Sequence, residues 1–137
     1  MSHNTTMMCG IILLTVPSIQ YGGYFLLQLL SGRFDNMQLN AFQKSMFRAG
    51  HAHAGVLVIF SLIAEILTDH ANLSNVLAWI VRIGFPLSAI LVSAGFFASA
   101  SGRDVTIPNK LIRKLYIGIL VLLISLIILG IGLIRSN

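Results

Sequence analysis

The sequence predicts an all-α integral membrane protein, a four-helix bundle built by one domain over residues 1–137. The chain is 56% hydrophobic and only 9% charged, whereas a soluble domain carries roughly 25% charged residues. Four apolar runs are long enough to cross a bilayer, since ~20 helical residues span ~30 Å of hydrocarbon. Each run must be helical, because lipid offers an open backbone no hydrogen-bond partner.

The four predicted helices cover approximately residues 10–31, 49–68, 76–100 and 111–134. Residues 32–48 form the longest connection, and apolar side chains within it favour a short amphipathic helix at the membrane interface: Phe34, Met37, Leu39, Phe42, Met46 and Phe47. Small residues recur along the last two helices and predict seams where helices pack closely: Ser88, Gly95 and Ser99, then Gly118, Ser125 and Gly132.

The basic residues are distributed as membrane-flanking charges, which argues against nucleic acid as a partner in spite of a sequence pI of about 10.0. Seven of them lie in or beside the first and third connections: Arg33, Lys44, Arg48, Arg103, Lys110, Arg113 and Lys114. The opposite side carries only Arg135. The positive-inside rule therefore predicts that both termini face outward (N-out/C-out) in a multi-pass protein of the cell (plasma or inner) membrane, with the lipid bilayer as its partner.

Two oppositely charged residues are expected at similar depth within the bundle. Glu65 lies about one turn from the outer end of the second helix, and Arg82 lies one to two turns into the third. An ion pair between them is the least costly way to keep both charges there. The pair either fixes the packing of the two helices or belongs to a proton or cation site. Asp69, one turn beyond Glu65, is expected to be a wetted helix end.

Two histidines near the inner start of the second helix are the candidate ligands for a metal or cofactor. His51 and His53 are two positions apart, so their rings diverge by about 200° on a regular helix. They therefore cannot both bind one metal from one straight helix. Either they are hydrogen-bonded interfacial residues, or one of them binds a ligand. Residues expected at the same level are candidates for a supporting role: Gln28, Arg48, Ser99 and Tyr116.

The segment FRAGHAHAG resembles a segment found in small, uncharacterised bacterial four-helix membrane proteins. Its His-x-His motif is also similar to the histidine-bearing helices of membrane haem proteins, namely the haem–copper oxidase-like superfamily and NnrS-type proteins. This resemblance implies that His51 or His53 is an axial ligand of haem b. The oxidases carry histidines on several helices, whereas the predicted helices 1, 3 and 4 carry none here. One histidine ligand, or ligation across a dimer, is compatible with this pattern.

Three functions remain open on the sequence. The first is a haem-binding membrane protein that uses the His51/His53 region. The second is a non-catalytic subunit or assembly factor of a larger membrane complex, such as a respiratory complex. The third is a dimeric proton-coupled transporter that uses Glu65, loosely similar to small multidrug-resistance proteins. Catalytic signatures are missing from the sequence, so enzymatic activity of the isolated chain is not expected.

Overall fold

Four long helices make up most of the computed structural model, which describes residues 1–33 and 38–136. They are α1 His3–Leu30, α2 Ala41–Thr68, α3 Asn75–Ser99 and α4 Arg113–Ile134, and a single 3₁₀ turn at Lys110–Ile112 leads into α4. The described residues contain no strand. All four helices are long and apolar enough to cross a membrane, the last one counted together with its 3₁₀ turn.

Two helices begin well before their predicted starts, because each has a polar N-cap that the apolar pattern does not reveal. α1 begins at His3, where the Ser2 hydroxyl accepts a hydrogen bond from the Thr5 N–H at 3.2 Å. α2 begins at Ala41, where Asn40 and Gln43 form a reciprocal capping box with hydrogen bonds of 2.9 and 3.3 Å.

The prediction of a separate interfacial helix in the first connection is therefore wrong for the residues of that connection that the structure describes. Phe42, Met46 and Phe47 lie in the first two turns of α2, and Leu39 precedes its cap. Phe34 and Met37 lie outside the described residues.

The bundle is centred on α3, which packs against both α2 and α4, while α1 packs mainly on α2. Two clusters of buried side chains join α2, α3 and α4: Leu57, Ala89, Val92 and Leu115 in one, and Ala64, Val81, Phe85 and Leu129 in the other. The chain termini and the α2–α3 turn lie at one end of the bundle, the terminal end. The other end, the loop end, carries residues 30–41 (as far as they are described) and 99–113.

Small residues allow α3 and α4 to approach closely, which confirms the predicted packing seams. A Cβ added at Gly95 would lie 2.5 Å from the backbone nitrogen of Leu115. A Cβ at Gly118 would lie 2.9 Å from the backbone nitrogen of Val92. Ser125 and Gly132 on α4 are also buried. Side chains larger than glycine would force the two helices apart at these crossings.

The loop end is held together by the first turn of α2. Gln43 is 2% exposed, and its side-chain amide donates to the carbonyls of Ala100 and Gly102 at 3.0 and 2.8 Å. The Asn40 amide donates to the carbonyl of Val105 at 2.9 Å. Gly102 has φ +126°, a conformation that favours glycine. These bonds fix the α3–α4 loop against α2.

Candidate functional site

Arg82 is the centre of a buried polar cluster at the terminal end. Its Nη1 lies 2.6 Å from Glu65 Oε2, and its Nη2 lies 2.9 Å from Asp69 Oδ1. The side chains of Arg82 and Glu65 are 6% and 1% exposed, and that of Asp69 is 14% exposed. Because Glu65 and Asp69 are four residues apart, they lie on one face of α2. One guanidinium on α3 therefore binds two carboxylates on α2.

Asp69 is not the wetted helix end that the sequence predicted, since the start of α1 covers it. Its carboxylate accepts hydrogen bonds from the Ser2 N–H at 2.6 Å, the Ser2 hydroxyl at 2.8 Å and the Thr5 hydroxyl at 2.6 Å. Partial burial alone would raise the pKa of Asp69. The hydrogen bonds from Thr5, Ser2 and Arg82 outweigh that effect and hold the pKa well below its ordinary value.

Thr5 completes this group, which we call the terminal cluster (Ser2, Thr5, Glu65, Asp69 and Arg82). Its side chain is fully buried, and its hydroxyl accepts a hydrogen bond from Arg82 Nη1 at 2.7 Å. Ser2 and Thr5 were not predicted as site residues, because residues 1–9 resemble a polar tail in the sequence. The available signal was Ser2 as an N-cap, which would have extended α1 to the level of Arg82.

The terminal cluster joins three helices through hydrogen bonds that use both carboxylates. A proton-coupled transporter would need Glu65 to exchange its partners during a cycle. Here Glu65 is almost fully buried and bonded to Arg82, which is itself bonded to Asp69 and Thr5. Moving Glu65 would therefore break an ion pair in a site without bulk water. The arrangement favours a structural role that fixes α1, α2 and α3 relative to one another.

His51 faces α1. A Cβ added at Gly23 would lie only 2.8 Å from His51 Nε2, so the imidazole rests directly on the α1 backbone. The ring is half-buried, and none of the described residues forms a hydrogen bond with it. Because Gly23 has no side chain, the His51 ring can pack against it. This contact leaves no space for a flat ligand between His51 and α1.

His53 lies on a different side of α2, as the 200° separation predicts. Its ring packs on Phe96 of α3 with a centroid distance of 5.0 Å. Its Nδ1 lies 2.8 Å from the carbonyl oxygen of Ala49. A carbonyl only accepts hydrogen bonds, so Nδ1 carries the proton and the neutral ring has its lone pair on Nε2. The residue is exposed, and no described residue forms a hydrogen bond with Nε2.

The four residues predicted to support the histidines do not form hydrogen bonds with either of them. Gln28 accepts a hydrogen bond from Arg33, and Ser99 donates to the carbonyl of Phe96. Arg48 is exposed, and Tyr116 on α4 is 62% exposed. Within residues 1–33 and 38–136, no group of three or more His, Cys, Asp or Glu side chains is placed to hold a metal ion.

The chain matches no protein-family model, and neither a curated protein nor a solved structure matches it.

Proposed function

We propose that the chain is a small multi-pass membrane protein that binds haem b through His53. Four helices long and apolar enough to cross a membrane support insertion. The basic residues of the loop end support an orientation with that end in the cytoplasm and both termini outside. In this orientation His53 lies near the cytoplasmic face of the membrane.

The observation that carries the proposal is the hydrogen bond between His53 Nδ1 and the Ala49 carbonyl at 2.8 Å. Histidine ligands of metals usually donate their second ring N–H to a carbonyl or carboxylate, which fixes the ring and raises the basicity of the ligating nitrogen. His53 has this arrangement, and the residue is exposed. His51 fits less well, because its Nε2 is directed at the α1 backbone at Gly23.

A second histidine ligand for the haem would have to come from a second copy of the chain. The other histidines of this chain are His51, on the α1 side of α2, and His3 and His70, at the terminal end. His51 faces a different side of α2 from His53, and His3 and His70 lie at the far end of the bundle. None of these three can therefore share a ligand with His53 within one chain. Bound haem would supply one-electron transfer, while His53 holds the iron and Phe96 orients the ring.

The test is an optical spectrum of the full-length protein purified from haem-sufficient cells. We expect a Soret band that is lost in His53→Ala and retained in His51→Ala, the matched control two residues away. A colourless preparation of the parent protein would overturn the proposal, and so would equal retention of the band in both variants. A colourless protein that co-purifies with stable partners would instead indicate a non-catalytic subunit of a larger complex.

A further inference from the structure

A cavity of about 260 Å³ lies between α1, α2 and α3, and neither a residue of the terminal cluster nor a histidine is among the described residues that line it. Its lining is almost wholly apolar, and each of the three helices contributes to it: Ile12 and Ile19 from α1, Ala54 and Val58 from α2, and Ala89 and Ser93 from α3. The cavity is larger than an engineered apolar cavity of ~150 Å³ that binds benzene. It is slightly smaller than the ~300 Å³ at which sites for drug-sized ligands begin.

Ser93 contributes an unpaired hydroxyl to this cavity. Among the described residues, its Oγ is the only buried side-chain nitrogen or oxygen atom without a hydrogen-bond partner, although the residue is just 8% exposed. The other buried serines of the described residues donate to a carbonyl of their own helix. Ser61 bonds to Leu57 at 2.7 Å, and Ser88 bonds to Phe85 at 2.6 Å. Ser93 lines the cavity but lacks this internal bond, so its hydroxyl has a hydrogen bond still to make.

The lining defines the chemistry of the occupant. Among the described residues, no charged side chain lines the cavity, so a charged ligand would lose its hydration without compensation. The hydroxyls of Thr15 and Ser18 already donate to backbone carbonyls, so Ser93 is the lining hydroxyl whose proton is not used within the protein. An apolar molecule with one hydrogen-bonding oxygen matches both the walls and Ser93.

Access is from the lipid side, between α1 and α3. Ile11 and Ile90 line the cavity and are 50% and 64% exposed, so they form its outer rim. A molecule dissolved in the hydrocarbon phase reaches the cavity without crossing a polar surface. The cavity volume limits the part that enters to a single alkyl chain or a single ring.

We propose that this cavity binds a neutral, lipid-soluble molecule whose hydroxyl or carbonyl oxygen accepts a hydrogen bond from Ser93. The site is independent of the haem proposal, since the two share no residue. The loss of one therefore leaves the other intact.

The test uses 3-azioctanol, a photoreactive alcohol, on the full-length purified protein, with labelled residues identified by mass spectrometry. We expect labelling of residues that line the cavity and competition by n-octanol. Ser93→Ala should raise the concentration for half-maximal labelling about fivefold, as expected for the loss of one neutral hydrogen bond. Ser88→Ala is the matched control, because Ser88 is a buried serine of α3 that bonds to its own helix and does not line the cavity.

One further variant and one further competitor complete the test. Ala54→Leu fills the cavity from α2 and should abolish the labelling, with a thermal melt to show that the bundle remains folded. Equal half-maximal concentrations in Ser93→Ala and Ser88→Ala would overturn the proposal, even if Ala54→Leu failed to fold. Labelling spread evenly over lipid-facing residues would overturn it as well. Competition by n-octane as strong as that by n-octanol would show that Ser93 does not select the ligand.

Discussion

Replacement of Arg82 by methionine tests whether the terminal cluster holds the bundle together. Methionine keeps much of the side-chain volume but removes the guanidinium, which donates to Glu65, Asp69 and Thr5. Asp69 would retain its bonds from Ser2 and Thr5, whereas Glu65, at 1% exposure, would lose its ion-pair partner. Breaking a buried ion pair on one side costs about 3–5 kcal/mol. We expect Arg82→Met to lower the free energy of unfolding by that amount.

The assay is reversible unfolding of the purified protein in mixed micelles, followed by loss of helical circular dichroism. The double variant Arg82→Met/Glu65→Gln is the control, since it removes both charges and should recover about 2 kcal/mol or more of the loss. A loss below about 1 kcal/mol in the single variant would refute the reasoning. Strictly additive effects of Arg82→Met and Glu65→Gln would also refute it, because residues in direct contact should show coupling.

Three other predictions follow from the fold. Asp69 has a folded-state pKa below its unfolded value of about 3.9, so its contribution to stability is complete above that pH. This contribution should disappear as the pH falls further, so the free energy of unfolding should decrease between pH 5 and pH 2. Asp69→Asn should make this decrease smaller. Gly95→Ala should destabilise the bundle by about 1–3 kcal/mol through its clash with Leu115, whereas Gly130→Ala, where a Cβ meets nothing within 4 Å, should not. In a Cys9→Ser background, a membrane-impermeant maleimide should label His70→Cys but not Arg103→Cys in intact cells; the reverse pattern would contradict the proposed orientation.

The four helices were predictable because long apolar runs leave the backbone no alternative to helix in lipid. The starts of α1 and α2 were less predictable, since they depend on the polar caps Ser2 and Asn40, which lie before the apolar runs. The three-residue spacing of Asn40 and Gln43 is typical of a capping box and indicates the observed start of α2. An apolar pattern alone thus locates the middle of a membrane helix better than its ends.

The candidate sites were predictable to different degrees. Because Glu65 and Arg82 lie at similar depth on consecutive helices, the sequence predicts that they meet. The structure has them in contact. Helical geometry likewise separated His51 from His53. The roles of Thr5 and Ser93 were not predictable, because each depends on how neighbouring helices pack. Ser93 is one of several serines in apolar helices, and only the structure shows that its hydroxyl lacks a partner.

The ion pair between α2 and α3 has a consequence for biosynthesis of the membrane-inserted chain proposed above. Arg82 leaves the ribosome after Glu65 and Asp69, and only the short α2–α3 turn separates the two helices. A single arginine costs about 2.5–3.5 kcal/mol at the translocon when it lies at the centre of a membrane helix, and Arg82, two turns from the start of α3, bears part of that cost. If α2 remains at the translocon until α3 arrives, both helices enter the bilayer as a neutralised hairpin. The timing of synthesis would then be part of what makes a buried arginine tolerable in so small a protein.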